Sequence, residues 1–313
     1  MAMQVQSPDI GVDVSKVELV CAAYGDNQIV SVANDKASIK RWLKTLPDHS
    51  CLAVEATSYF HMELVEQAWK MGLAVYVVNG YQLSQYRKSI GGRAKTDTTD
   101  ARLLARYLNR EKDSLRRWTP PPKAYRNIQM LLNRRACLVR ARVALKQSFE
   151  TLPQARQSTD ALIRHMNRLE KLLEKQLRTE VRNAGWSADV RRVQAIEGIG
   201  PINAIALVMA FQRGEFRSSD SFVAFLGLDV RARDSGTCTG KRKLTKQGSR
   251  EIRRLLHNAA MAARKSSVWE AFYQRHRARG LATTQALVVL ARKLVRIAFA
   301  LLRNQTEYRR AQA

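Results

Sequence analysis

The chain has 313 residues, with 54 Lys plus Arg against 27 Asp plus Glu and a formal net charge of +27. That length supplies core for two or three domains. The basic excess points to a polyanion partner, most simply nucleic acid, and no uninterrupted apolar run is long enough to span a membrane. The charge is unevenly placed: residues 1–112 hold 14 basic and 12 acidic side chains, residues 113–313 hold 40 and 15. The start MAMQVQSPDIGVDV has neither a basic n-region nor an apolar h-region, so no secretory signal is expected. Cys21, Cys51, Cys137 and Cys238 are scattered, as are the five histidines. This excludes a zinc site and sets reduced thiols and a cytoplasmic location as the expectation; a bound metal would need oxygen ligands.

In chain order, Ile10–Val14, Val17–Ala23 and Gln28–Ala33 read as three short strands, with Tyr24-Gly25-Asp26-Asn27 as a turn. Residues 35–46 read as a helix with Ile39, Trp42, Leu43 and Leu46 on one side. Cys51–Glu55 is a buried strand, residues 59–71 a helix and Leu73–Val78 a strand. A further helix opens at Lys95-Thr96-Asp97-Thr98-Thr99-Asp100-Ala101, since Leu103, Leu104, Tyr107 and Leu108 recur at helical spacing. The expected order is β-β-β-α-β-α-β-α.

Asp97 and Asp100, three residues apart, share a helix face. They read either as helix-start residues favoured by the macrodipole or as carboxylates gathered around a cation. Asp13, late in the first strand, and Glu55, closing the fourth, are charges in apolar runs; each is either satisfied at its strand end or a ligand. Four carboxylates without His or Cys suit hard divalent ions, Mg²⁺ or Mn²⁺, and paired ions of that kind serve phosphodiester chemistry.

Residues 113–123 (DSLRRWTPPPK) are a linker, because consecutive prolines cannot continue a helix. Two helical arms follow, with Ile128, Leu131, Leu138 and Leu145 on the first and Leu162, Met166, Leu169, Leu173 and Leu177 on the second. These spacings fit coiled-coil seams, broken near Pro153, and imply folding or oligomerisation through the arms. Arg134, Arg135, Arg140, Arg142 and Lys146 give either a solvated basic face or one turned to nucleic acid. Gly198-Ile199-Gly200-Pro201 joins two helical runs in 193–213, a pattern that resembles a helix-hairpin-helix and serves backbone phosphate contact or plain packing. A short capped helix at 219–228 then leads into a loop rich in glycine and cations, 229–249, containing Ser235-Gly236. Turn chemistry beside a phosphate clamp, and a nucleophilic serine, both fit that loop. Residues 251–265, 268–277 and 283–303 read as helices, the last a core helix whose Arg292, Lys293 and Arg296 argue against a membrane span.

The runs Ile10-Gly11-Val12-Asp13-Val14-Ser15-Lys16, Val54-Glu55-Ala56-Thr57 and Lys95–Ala101 resemble the RuvC-like DEDD domain of the insertion-sequence transposase family numbered one-ten, which includes pilin-gene invertases. Ser235-Gly236 and Lys243-Leu244-Thr245-Lys246-Gln247-Gly248 resemble that family's C-terminal serine domain. Two departures are visible. Ser58-Tyr59-Phe60 stands where the family has a glycine soon after Glu-Ala-Thr, and Asp229-Val230 replaces a proline common after Gly-Leu. Ser218, Ser219, Ser221 and Ser249 fall outside the motif position.

The resemblance implies an α/β RNase H-like (RuvC-like) N-terminal domain, an α-helical coiled-coil region and a mostly α-helical C-terminal domain with a helix-hairpin-helix. The corresponding boundaries are 1–112, 113–123 (linker), 124–184 and 185–313. It further implies a DNA transposase or site-specific recombinase in which Asp13, Glu55, Asp97 and Asp100 bind Mg²⁺ or Mn²⁺. Ser235 would form a covalent phosphoserine link to DNA, the serine coming from a different protomer than the tetrad. Gly198, Gly200, Arg231, Arg233, Lys241, Arg242, Lys243 and Lys246 are the expected nucleic-acid contacts. The implied partners are donor and target DNA, a structured non-coding guide (bridge) RNA, and further copies of the chain as a dimer or a tetramer. The implied setting is the prokaryotic cytoplasm, at the nucleoid when active. Two other readings share some of these residues: a hydrolytic nuclease such as a Holliday-junction resolvase, for which Ser235 is dispensable, and a non-catalytic nucleic-acid-binding protein with a vestigial tetrad.

Overall fold

The computed structural model describes residues 8–56, 59–91, 96–231, 234–235, 238–239 and 242–309, with backbone alone at 234–235 and 238–239. The chain forms two compact units, Met1–Pro120 and Pro121–Ala313, divided within the proline run.

The first unit comprises β1 (Asp9–Val14), β2 (Glu18–Ala23), β3 (Ile29–Ala33), α1 (Lys36–Leu43), β4 (Cys51–Glu55), α2 (Met62–Lys70), β5 (Ala74–Val78), α3 (Gly80–Ser89) and α4 (Asp97–Glu111). Its sheet has the order β3-β2-β1-β4-β5, antiparallel from β3 to β1 and parallel across β1, β4 and β5. The helix α3 is absent from the pattern read in the sequence. Leu83 is its one buried residue, so it carries no apolar stripe. Its start is set instead by the side chain of Asn79, which accepts a hydrogen bond from the Tyr81 amide.

Strand alternation gives the sheet two buried faces. Ile10, Val12, Val14, Leu52 and Val54 pack with residues of α1 and α2, among them Ile39, Trp42, Leu64 and Val65. Cys51, Ala53, Ala74 and Tyr76 pack with Leu103, Leu104, Tyr107 and Leu108 of α4. The approach of α4 to β1 is at backbone distance. A Cβ built on Gly11 would lie 2.0 Å from the Ala101 carbonyl oxygen and 2.3 Å from the Ala105 nitrogen, so no side chain fits there. The far end of α4 is tied to the start of β1, where Asn109 Nδ2 donates to Asp9 at 3.0 Å and Lys112 Nζ pairs with it at 2.9 Å.

The second unit is mostly helical: α5 (Lys123–Ser148), α6 (Arg156–Asn183), α7 (Ser187–Gln194), α8 (Pro201–Phe211) and α9 (Ser219–Phe225), then α10 (Arg250–Ala263), α11 (Ser267–Ala278) and α12 (Thr283–Asn304). Between α9 and α10 lie four two-residue strands, β6 (Val230–Arg231), β7 (Asp234–Ser235), β8 (Cys238–Thr239) and β9 (Lys243–Leu244). The core centres on α8, buried continuously from Ala204 to Ala210, with Leu287, Leu290 and Leu294 of α12 among its partners. Phe222 of α9 and Phe299 of α12 meet Phe211 at ring separations of 5.9 Å.

Helices α5 and α6 pack on each other as the two arms. At the base Ile128, Leu131, Leu132, Leu177 and Val181 enter the core, whereas Leu162 and Leu169 remain 48% and 47% exposed. The apolar seam read in the sequence is thus buried within this chain only at one end. Charge joins the arms further out. Arg135 pairs with Glu170 at 2.6 Å and Glu174 at 2.9 Å, and Arg142 with Glu170, itself buried, and with Asn167. Two of the five arm cations therefore serve helix pairing, while Arg134, Arg140 and Lys146 face solvent. No helix among the described residues is long and apolar enough to cross a membrane.

Candidate functional site

The four acidic residues singled out in the sequence converge in the first unit. β1 and β4 run parallel with Gly11 opposite Ala53 and Val12 opposite Val54, so Asp13 and Glu55 occupy the next step on neighbouring strands. By alternation both share the sheet face that α4 covers, with Gly11 and Ala53. Asp97 is the first residue of α4 and Asp100 stands one turn on. The helix starts where it does because Thr96 and Thr99 form a reciprocal capping box: the Thr96 hydroxyl accepts from the Thr99 amide at 3.2 Å, and the Thr99 hydroxyl accepts from the Thr96 amide at 2.8 Å. Two local rules, a cap and a missing Cβ at Gly11, therefore deliver two carboxylates to the ends of β1 and β4.

The electrostatics register that gathering. The carboxyl of Asp13 is pushed up to about 6, first by burial and then by the charges of Asp100, Asp97 and Glu55. Asp100 is buried and pairs with Arg87 of α3 at 2.5 Å. Glu55 lies against the first turn of α3, where a Cβ added to Gly80 would sit 2.3 Å from its Oε1. A helix N-terminus is a favourable place for that carboxylate. Arg87 and Gly80 thus contact two of the four acids, and both belong to the helix the sequence pattern did not reveal.

As a donor set the quartet fits a hard divalent cation: all oxygen, mutually repelling, and partly withdrawn from water. Among the described residues, no three His, Cys, Asp or Glu side chains are drawn close enough to hold an ion. Asp100 is engaged by Arg87.

In the second unit the turn at Gly198 is a packing device: its φ is +89°, and a Cβ there would meet Ala263 Cβ at 2.5 Å and Ala259 O at 2.7 Å on α10. Gly200, by contrast, opens on free space and caps α8, with Pro201 at the first helical position. Arg231 and Lys243 stand directly opposite one another across β6 and β9, both exposed. Like charges in register destabilise a strand pair unless an anion lies over them. Arg242 is exposed, and Lys246 is exposed with a left-handed φ of +58°. The backbone of Ser235 pairs with that of Cys238 in β7 and β8. Its side chain, with Arg233, Lys241 and Gly236, lies outside the described residues.

Two family models match the chain, the first running past the boundary between the two units. Residues 10–154 match the DEDD_Tnp_IS110 transposase family, and residues 190–274 match the transposase family IS116/IS110/IS902. The pilin gene-inverting protein of Moraxella bovis is 28% identical over 264 residues, 82% of this chain and 81% of that protein. Its counterpart in Moraxella lacunata is 27% identical over the same length. A probable family 20 transposase of Pseudomonas aeruginosa is 36% identical over 143 residues, 44% of this chain and 41% of that one.

Proposed function

Because the chain belongs to the IS110 family of transposases, enzymes that act on DNA, we propose that it cuts and rejoins DNA strands through a covalent serine intermediate at a carboxylate-held metal centre. The observation that carries this reading is the convergence of Asp13, Glu55, Asp97 and Asp100 on the α4 side of β1 and β4. The fold supports it: a five-stranded mixed sheet with its acids at the ends of neighbouring parallel strands is what an RNase H-like (RuvC-like) domain offers.

Asp13, Glu55, Asp97 and Asp100 would hold Mg²⁺ or Mn²⁺. The ions would supply charge to polarise a phosphodiester and lower the cost of deprotonating a hydroxyl. Asp100, paired with Arg87 in this structure, would release that pair to take its place among the acids holding the ion. The Gly11 contact fixes α4, so that Asp97 and Asp100 meet Asp13 without a search. Ser235 Oγ then attacks phosphorus. One P–O bond forms to the serine as one strand P–O bond breaks, and the serine's proton passes to the departing oxygen. The phosphoserine link keeps the bond energy for joining to a second strand. Cations around β6 and β9 hold backbone phosphates. Gly200, at the start of a turn that resembles a helix-hairpin-helix, presents amides for the same purpose. The pilin gene-inverting relatives, whose name describes rearrangement of a gene, support site-specific recombination. Exposed Leu162 and Leu169 on the arm support assembly of two or more copies, and a structured non-coding RNA would carry sequence specificity by base pairing.

The deciding experiment is a search for an SDS-stable, nuclease-sensitive protein–DNA adduct in cells carrying the gene with its native flanking DNA. Wild type is expected to give the adduct and Ser235→Ala to lose it. Asp13→Asn and Asp97→Asn are expected to abolish cleavage while leaving salt-sensitive nucleic-acid binding intact. Cleavage without an adduct would identify a hydrolytic nuclease, and normal cleavage by either Asn variant would overturn the metal centre.

A further inference from the structure

The start of α10 gathers cations at a helix end where the macrodipole disfavours them: Arg250 and Arg253 fall in its first turn and Arg254 just beyond, beside Glu251 and the Ser249 cap. Arg254 is answered by Glu251 one turn away, at 2.5 Å. Arg250 and Lys246 form no ion pair among the described residues, and Arg253, also without one, donates from Nη1 to the Gly248 carbonyl at 2.7 Å. Burial, and then the neighbouring Arg250, hold the Arg253 guanidinium below its ordinary range. Lys246 takes up a left-handed backbone, φ +58°, a conformation that a side chain other than glycine, Asn or Asp adopts at a cost.

These cations share one cavity of about 480 Å³ in the second unit, to which His257, two turns along α10, also contributes. The rest of its lining is apolar: Leu228, Leu244, Val288 and Ala291. One turn beyond Val288 on α12, Arg292 has its Nε buried with no hydrogen-bond partner. Asp229, the carboxylate next to Leu228, accepts a hydrogen bond from Thr245, and Asp220 pairs with Arg296 at 2.7 Å. A cavity lined by both cations and apolar side chains matches one nucleotide: phosphate on the cations, sugar and base against the apolar side chains.

We propose that this cavity between the start of α10 and α12 binds a single nucleotide of an unpaired DNA strand, with its phosphate on Lys246, Arg250 and Arg253. A duplex, far wider than the cavity, does not enter. DNA suits it better than RNA, because the apolar lining of Leu, Val and Ala offers no hydrogen-bond partner to a 2′-hydroxyl. The assignment rests on the strand-joining reading and adds to it a place where a freed strand is kept.

The test uses the full chain in EDTA, so the metal centre plays no part. A single-stranded oligonucleotide bearing 5-iododeoxyuridine is irradiated with the protein, the cross-linked peptides are mapped, and affinity is read by anisotropy. Cross-links within residues 244–257 and a threefold to tenfold loss of affinity in Arg250→Gln and Lys246→Gln are expected. The melting temperature of Arg250→Gln should not fall, since a structural arginine would lower it and this one opposes the dipole. Cross-links confined to other peptides, or wild-type affinity in both variants, would overturn the assignment. Labelling by the matching RNA in preference to DNA would replace DNA with RNA as the occupant. Inorganic phosphate at a concentration that spares overall binding is expected to weaken the cross-link, because it competes for the same three cations; a cross-link indifferent to phosphate would overturn the assignment. Asp13→Asn should label like wild type, so failure here and failure of the strand-cutting reading give different results.

Discussion

Asp13 shows what a single residue yields when chemistry and burial are combined. Its carboxyl ordinarily ionises near 3.8 and in the folded chain near 6, so folding favours its protonated form. The stabilising balance is full below pH 3.8 and is lost as pH rises through about 6. Asp13→Asn should therefore raise the melting temperature of the metal-free protein at pH 7.5, by a few degrees, and leave it unchanged at pH 4; calorimetry at the two pH values checks this. The reverse sign would mean that the other carboxylates do not act on Asp13. Position marked Asp13 and Glu55 as charges in apolar runs, costly unless satisfied or used, but grouping them with Asp97 and Asp100 as one set came from the family resemblance. Arg87 was not readable, since an ion pair made across 13 residues of chain, between two helices, leaves no periodic trace.

At the scale of elements, the contact between α4 and β1 places half of the site. Gly11→Val would force apart a backbone contact that has no slack and cost about 3 kcal/mol. Expected outcomes are a lower melting temperature and loss of strand cleavage together, whereas Gly91→Ala, in open space, should keep cleavage and lower the melting temperature only through its positive φ. Cleavage retained in the Gly11 variant would show that α4 can be placed without it. The strands and most helices were legible because their faces alternate or repeat: β1 buries Ile10, Val12 and Val14, and α12 buries Leu287, Leu290 and Leu294. The helix α3 was not, since a cap at Asn79 and one buried leucine hold it. In the arms, leucine spacing suggested one continuous seam, yet the structure buries the leucines at the base and joins the middle through Glu170. Pattern reports which residues could pair within an element, and a partner 35 residues away is invisible to it.

For the whole molecule, the proposed reading gives the charge excess of residues 113–313 the encounter with nucleic acid and the acids of the first unit the chemistry. Binding to any DNA should fall at least tenfold between 50 and 200 mM salt, with a linear log–log slope; the Asp13→Asn slope should match wild type, as titrations by anisotropy will show. A flat salt response would mean that the basic residues are turned to other uses, as Arg135 and Arg142 already are. The arms add a length to this account. Helices of 26 and 28 residues reach about 40 Å at 1.5 Å per residue, and one turn of duplex DNA rises about 34 Å. Ile128, Leu131, Leu177 and Val181 hold the inner ends of both helices in the core, so the part of α5 free of that core, from Ala136 to Ser148, is about 20 Å long. On the proposed reading, the reach the arm can offer to a duplex is therefore shorter than one of its turns.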